Sequence, residues 1–193
     1  MSRARKAAIW LAAALTAIVT VAVAQAPGSG GGKFTLTSPD FAQGGMLATA
    51  QVFNGFGCSG GNISPALAWS NAPAGTKSFA LLVHDPDAPT GSGWWHWVVY
   101  DIPASVGSLP AGAGDPKKSL APAGAQQGRT DFGTAGYGGP CPPPGKPHRY
   151  YFRLYALKVA RLDVPADASA AFIGFSVNAA ALGKAELLGL YGR

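Results

Sequence analysis

The side chains best suited to chemistry in this sequence are two carboxylates and two imidazoles, Asp85, Asp87, His96 and His148. Both carboxylates lie beside prolines, which restrict the backbone and hold the acids in place. One imidazole lies in a tryptophan-rich segment, and the other follows a proline-rich loop, where ligand-binding groups are common. Protonated imidazoles form strong hydrogen bonds to anions. The four residues predict a small polar pocket for a phosphate-like or carboxylate anion.

Further groups near the second imidazole extend this predicted ligand-binding set. Alternation along a strand returns Tyr150 to the face of His148, where its hydroxyl is a donor. The glycine-rich turn 136–139, which ends at Gly139, offers backbone N–H groups that suit an anion, and Pro140 directly after it belongs to the predicted ligand-binding set. The neighbouring rings predicted as pocket walls are Trp94, Trp95, Trp97, Tyr137 and Tyr150.

Two nearby residues are predicted to stay outside the pocket. Arg149 alternates away from it and is expected to pair with an acid that braces the loop, and His84 is expected to be an ordinary strand residue. Alternation places His96 on the face opposite to Trp95 and Trp97, although it does not say which face meets the pocket.

The same four acids and imidazoles also allow a metal-dependent hydrolase. Asp85, Asp87, His96 and His148 are chemically adequate ligands for Zn²⁺ with an open position. The sequence contains no Ser-His-Asp order, nucleophile elbow or Walker loop. The residues alone leave this hydrolase open, beside an anion-binding protein with no catalytic residue, no cofactor and no metal.

Five motifs in order resemble the phosphatidylethanolamine-binding protein (PEBP) family, and within it the bacterial Raf-kinase-inhibitor-like branch. They span residues 54–69, 85–89, 94–97, 139–150 and 185–193. The resemblance implies a mainly β fold, a PEBP-like β-sandwich with a few peripheral helices and a C-terminal helix. It also implies a non-catalytic site for a small anionic ligand or a phospholipid headgroup. The alternative it leaves open is an inhibitor or regulator acting through contact with a partner protein, for example an exported protease.

Strands are predicted where apolar, β-branched or aromatic residues alternate or end at a proline. These segments are 34–37, 66–70, 77–83, 97–102 and 149–159, and residues 104–137 between them are predicted as a long loop. Near the end of the chain, Asp167 is predicted to cap a helix over 168–172, and Ala, Leu, Lys and Glu predict a second helix over 177–188.

The first residues are typical of an export signal. A basic start is followed by an apolar stretch and the small residues 22–24, so residues 1–24 are predicted to be a signal peptide cleaved after Ala24. An uncleaved anchor is the alternative, because the apolar stretch approaches a membrane-spanning length. A flexible Gly-rich leader over 25–33 and a single domain over 34–193 are predicted to follow. The expected location is periplasmic or secreted, with no transmembrane segment after cleavage.

Net charge and cysteine content narrow the possible functions of the protein further. The net charge is +6, and signal cleavage removes three positive residues and no acids, which leaves +3. The remaining basic residues are scattered, so nucleic-acid binding is not expected. Cys58 and Cys141 are the two cysteines, and in an oxidising compartment they form either a disulfide or two buried free thiols.

Overall fold

The computed structural model describes residues 32–193, which contain many short strands and one α-helix. In chain order these are β1 (Thr35–Thr37), β2 (Gly45–Met46), β3 (Asn54–Gly55), β4 (Cys58–Ser59), β5 (Leu67–Ser70), β6 (Ser78–Asp85), β7 (Trp94–Pro103), β8 (Ser108–Leu109), β9 (Gln126–Gln127), β10 (His148–Leu157), α1 (Ala170–Ala180) and β11 (Ala181–Tyr191).

The strands form two sheets packed face to face and a small hairpin. The larger sheet has the order β2-β11-β10-β6-β7-β9, the smaller has the order β1-β5-β8, and β3 pairs with β4. Neighbouring strands are antiparallel, except that β2 runs parallel to β11. This is the mainly β sandwich that the family resemblance implied.

Alternating residues of the larger sheet supply two apolar layers. On the inner face, Phe152 and Leu154 of β10 pack with Leu36, Leu67 and others from the smaller sheet. On the outer face, alternate residues such as Leu82 and Val98 pack against the helix. The period of two predicted for β10 is therefore present, and the larger sheet is covered on both faces.

The predicted strands are all present with shifted ends, and the predicted long loop contains two short strands, β8 and β9. The largest shift is in β7, which begins at Trp94 rather than at Trp97. This shift places the whole tryptophan-rich segment, including His96, inside a regular element.

The end of the chain corrects the helix predictions. The structure has a helix near the C-terminus, but it spans Ala170–Ala180, and its N-cap is Ser169 rather than Asp167: the Ser169 hydroxyl accepts from the N–H of Phe172. The second helix predicted over 177–188 is wrong beyond residue 180, because Ala181–Tyr191 is a strand paired with β10. Sheet pairing outweighs the helix propensity of its Ala, Leu, Lys and Glu residues, which is weak on its own.

The predicted signal peptide, residues 1–24, lies outside the described residues, as does the leader as far as residue 31. From residue 32 onward, the helix is too short to cross a bilayer, so no membrane-spanning helix is found in this part of the chain.

Candidate functional site

One end of the larger sheet encloses a cavity of about 180 Å³. Three neighbouring strands contribute to it, β6 at its last residue and β7 and β10 at their first residues. Its polar side chains include Asp85, His96, His148 and Tyr150, which are four of the residues that the sequence predicted. The loop after β6, the proline-rich loop before β10, and one phenylalanine from each of two further loops form the rest of the wall.

Asp85 organises the floor of the cavity. Its side chain is almost fully buried, and each of its oxygens is occupied. Oδ1 accepts from the backbone N–H of Asp87 at 2.8 Å, and Oδ2 accepts from Nδ1 of His148 at 2.8 Å. The carboxylate thus fixes the ring of His148, and its Nε2 is the nitrogen left for a ligand.

A β-bulge aims His96 into the cavity. Val83 pairs with Trp97 and His84 pairs with Trp95, so His96 is an extra residue with no partner on β6. The bulge breaks the alternation assumed from the sequence, since His96 and Trp97 both point to the inner face, where His96 contacts Tyr150. The prediction that they lie on opposite faces was wrong for this reason, whereas Trp95 does lie on the outer face.

His96 is held as a neutral imidazole. Its Nδ1 donates to the carbonyl oxygen of Gly138 at 2.7 Å, since a carbonyl oxygen only accepts. Burial lowers the pKa of His96 to about 4, although the Gly138 contact and the Asp85 charge oppose this shift. This lowered pKa disfavours a protonated imidazole at position 96, so His148 is the stronger candidate for donating to an anion.

Tyr150 brings an unused donor to the same cavity. Its hydroxyl is buried and makes no hydrogen bond of normal geometry to the described residues, although the neighbouring Asp85 carboxylate interacts with it. Burial, with a smaller contribution from the Asp85 charge, raises the pKa of Tyr150, so the hydroxyl keeps its proton. A buried polar group without a partner is costly, and a ligand oxygen is a natural acceptor for it.

Asp87 and Arg149 form an ion pair outside the cavity. The guanidinium donates to both carboxylate oxygens, at 2.6 and 2.9 Å, and the backbone N–H of Arg149 also donates at 2.9 Å. This contact with the guanidinium lowers the pKa of Asp87 to about 2. Arg149 thus pairs with an acid as predicted, while Asp87 holds two loops together and does not line the cavity.

The glycine-rich turn also lies behind the cavity wall. The N–H of Gly138 donates to the carbonyl of His96, and the N–H of Gly139 donates to the side chain of Asn62. These two donors are occupied and are not free for an anion. A Cβ on Gly139 would lie 2.0 Å from the carbonyl oxygen of Gln51, so glycine is needed for this close approach. The carbonyl oxygen of Pro140 is also occupied, because it accepts from the backbone N–H of Phe53.

The aromatic walls differ in part from those predicted. Trp94 and Tyr150 line the cavity, and Phe56 and Phe132 join them. Three of the predicted rings pack elsewhere, on the inner or the outer face of the sheet: Trp95, Trp97 and Tyr137. Phe132 lies within the predicted long loop, and only that loop's length was a signal of function.

A disulfide and an arginine join the two loops at the cavity mouth. Cys58 and Cys141 are bonded across 83 positions of sequence, and Cys141 lines the cavity. Arg193 donates to the carbonyl of Pro142 at 2.7 Å and to that of Gly57 at 3.2 Å, and its own carbonyl accepts from Gly145. Sequence reasoning missed this role of Arg193, because a lone basic residue carries no pattern.

The four acids and imidazoles considered as metal ligands do not converge. Asp87 points to Arg149, and Nδ1 of His96 is used by Gly138. Within residues 32–193, no group of three or more His, Cys, Asp or Glu side chains is placed to hold a metal ion.

Comparison with known proteins gives consistent matches across most of the chain. Residues 37–192 match the family described as phosphatidylethanolamine-binding protein. The UPF0098 protein YbcL of Escherichia coli is 53% identical over 159 residues, which cover 82% of this chain and 87% of the relative. The putative lipoprotein LppC of Mycobacterium tuberculosis is 37% identical, covering 89% of this chain and 79% of the relative.

Solved structures agree with these sequence matches. The crystal structure of E. coli YbcL, described as a new member of the mammalian PEBP family, superposes with a TM-score of 0.82 at 52% identity and covers 84% of this chain and 99% of that one. The homologue CT736 from Chlamydia trachomatis, described as a putative phosphatidylethanolamine-binding protein, superposes with a TM-score of 0.69 at 34% identity. The match covers 83% of this chain and 97% of that one.

Proposed function

Because this chain belongs to the phosphatidylethanolamine-binding protein family, we propose that it is an exported, non-catalytic binding protein whose cavity holds a phosphate-like or phospholipid-headgroup anion. The observation that carries this proposal is the buried hydroxyl of Tyr150, which has no partner among the described residues, in a cavity it shares with His148. A ligand oxygen would accept from that hydroxyl and from the protonated imidazole of His148.

The dimensions and walls of the cavity support a small ligand. A volume of about 180 Å³ suits a headgroup rather than a whole lipid, and aromatic rings cover several of its sides. The 2.8 Å contact between Asp85 and Nδ1 of His148 orients the imidazole so that Nε2 faces the incoming anion. Export is proposed from the predicted signal peptide, and the name of the relative LppC as a putative lipoprotein is consistent with it.

Calorimetry with inorganic phosphate tests this function. His148→Ala should weaken phosphate binding at least about tenfold, because a hydrogen bond to a charged group contributes about 1.5 to 3 kcal/mol. His84→Ala is the matched control, since its ring packs on Trp95 on the other face of the sheet and should leave binding unchanged. Equal affinity of the His148→Ala variant and the parent would place the anion elsewhere. Native mass spectrometry of protein purified from its own host would identify a retained ligand.

A second candidate function is regulation through protein contact, and one observation favours it. Phe56 lies in the turn between β3 and β4 at the cavity mouth, and its side chain is 67% exposed. Its backbone adopts a φ of 52°, which is uncommon for a residue other than glycine. Exposed aromatic rings are frequent contact points for partner proteins.

An assay against exported proteases tests this alternative. Inhibition by the parent protein that is lost in Phe56→Ser and kept in Tyr150→Phe, which should bind phosphate weakly, would support protein contact. No inhibition by either protein would remove this candidate.

A further inference from the structure

The hydrogen bonds around His96 determine which of its nitrogens can meet a ligand. Nδ1 carries the proton, because it lies 2.7 Å from the carbonyl oxygen of Gly138, which can only accept. A neutral ring with its proton on Nδ1 has a lone pair on Nε2. That lone pair has no hydrogen-bond partner among residues 32–193, and the ring lines the cavity. Burial opposes protonation and lowers the pKa of His96 to about 4.

The other polar groups in the cavity are donors or are already occupied. The hydroxyl of Tyr150 is a donor with no acceptor at normal geometry, and each oxygen of Asp85 already accepts one hydrogen bond, from Asp87 and from His148. A ligand held by all these groups must therefore accept from Tyr150 and donate to His96. A fully deprotonated oxyanion offers no such donor, and its oxygen would face the lone pair of Nε2.

We propose that His96 selects the ligand by accepting a hydrogen bond from an acidic O–H, so that the cavity takes singly protonated phosphomonoesters in preference to phosphodiesters and sulfates. This inference rests on the proposed anion-binding function and names its ligand class. A phosphomonoester has its second pKa near 6 and so carries both an O–H and charged oxygens around that pH. A phosphodiester or a sulfate monoester has no proton to donate.

Methyl phosphate and methyl sulfate provide the direct test, because they have the same shape and differ in the acidic proton. In calorimetry at about pH 6, we expect methyl sulfate to bind the parent protein at least about tenfold more weakly, since a buried acceptor left without a donor costs about 1 to 3 kcal/mol. Dimethyl phosphate, a diester, should be disfavoured as well. Equal affinities for methyl phosphate and methyl sulfate would overturn the inference and leave the proposed anion pocket intact. Failure of both ligands and of inorganic phosphate to bind would overturn the two proposals together.

A variant pair and a spectroscopic signal separate selection from a structural role. His96→Phe should lose affinity for methyl phosphate at least about tenfold and keep its affinity for methyl sulfate, whereas the control His84→Phe should change neither. Because His96 is buried, its variant can fail to fold, and nitrogen NMR of the parent then decides. The Nε2 resonance of His96 should shift on addition of methyl phosphate and not on addition of methyl sulfate. An unchanged Nε2 resonance in the presence of saturating methyl phosphate would contradict the proposal.

Soluble and lipid sources of the phosphomonoester are distinguished by vesicles. We expect phosphatidylcholine vesicles that contain phosphatidic acid, a monoester lipid, to retain the protein if the source is a membrane, and inorganic phosphate to release it. If the source is soluble, methyl phosphate binds and neither type of vesicle retains the protein. Equal retention by vesicles of phosphatidylcholine alone, a diester lipid, would contradict the selection.

Discussion

The hydroxyl of Tyr150 makes opposite contributions to stability and to binding. In the free protein it is a buried donor without a partner, which costs free energy, and in the proposed complex it donates to the anion. Tyr150→Phe should therefore raise the free energy of unfolding, by about 1 kcal/mol, and weaken phosphate binding about tenfold. Urea denaturation and calorimetry on the same samples check both effects. A loss of stability together with unchanged binding would mean that the hydroxyl has a partner in the protein.

His96 makes the stability of the fold depend on pH. Its pKa falls from about 6.5 in the unfolded chain to about 4 in the folded protein. Between these values the unfolded state binds more protons, so stability is highest above about pH 6.5 and falls as the pH falls towards 4. A shift of this size lowers the free energy of unfolding by about 3 kcal/mol once the pH has fallen below the folded pKa.

Urea denaturation at pH 7.5 and pH 4.5 measures this dependence. The parent should lose more stability between the two pH values than His96→Gln does, because the variant lacks the titrating ring. Asp87 contributes little in this window, because its pKa falls from 3.8 to about 2 on folding and its stabilising effect is lost mainly between those two values. The same pH dependence in both proteins would mean that His96 is protonated in the folded state.

Among the elements, the sequence predicted the strands well and the last segment poorly. Strands β6, β7 and β10 follow from β-branched and aromatic runs that end at prolines, and these three strands carry the site residues. The segment Ala181–Tyr191 has the composition of a helix, but its burial alternates as its neighbour β10 requires. The pattern of Ala185 and Leu187 inward and Glu186 outward was present in the sequence, and composition outweighed it.

The parts of the site that could not be predicted depend on contacts distant in the sequence. The bulge at His96 is a property of two paired strands, and no pattern within β7 alone encodes it. The rings of Phe56 and Phe132 reach the cavity from loops that place them 76 positions apart in the sequence. The occupied N–H of Gly139 depends on Asn62, which lies 77 positions earlier in the chain, within the 54–69 motif.

The disulfide should stabilise the loops that form the cavity mouth. Replacing Cys58 and Cys141 by serine frees a loop of 83 positions and should lower the free energy of unfolding by about 2 to 4 kcal/mol. Phosphate affinity should fall as well, because Cys141 lines the cavity. Urea denaturation of the parent with and without reductant, next to the double variant, measures the effect. Identical midpoints in all three samples would contradict a stabilising bond.

For the molecule as a whole, the predicted export signal determines the mature chain. Cleavage after Ala24 should give a protein that begins at Gln25, with a net charge lowered from +6 to +3. N-terminal sequencing of the protein from the periplasm or the medium checks this. Recovery of Met1 from a membrane fraction would instead support an uncleaved anchor.

The β-bulge means that the sheet does not need His96 to close. With that residue deleted, Val83 opposite Trp97 and His84 opposite Trp95 become consecutive regular pairs, and both neighbours keep their faces. The deletion variant should therefore keep the pairing of β6 with β7, lose the two hydrogen bonds between His96 and Gly138, and lose its preference for ligands that carry an acidic proton. The residue that recognises the ligand would then be a one-residue insertion into a sheet whose strand pairing is complete without it. Such a residue can be gained or lost while the fold persists.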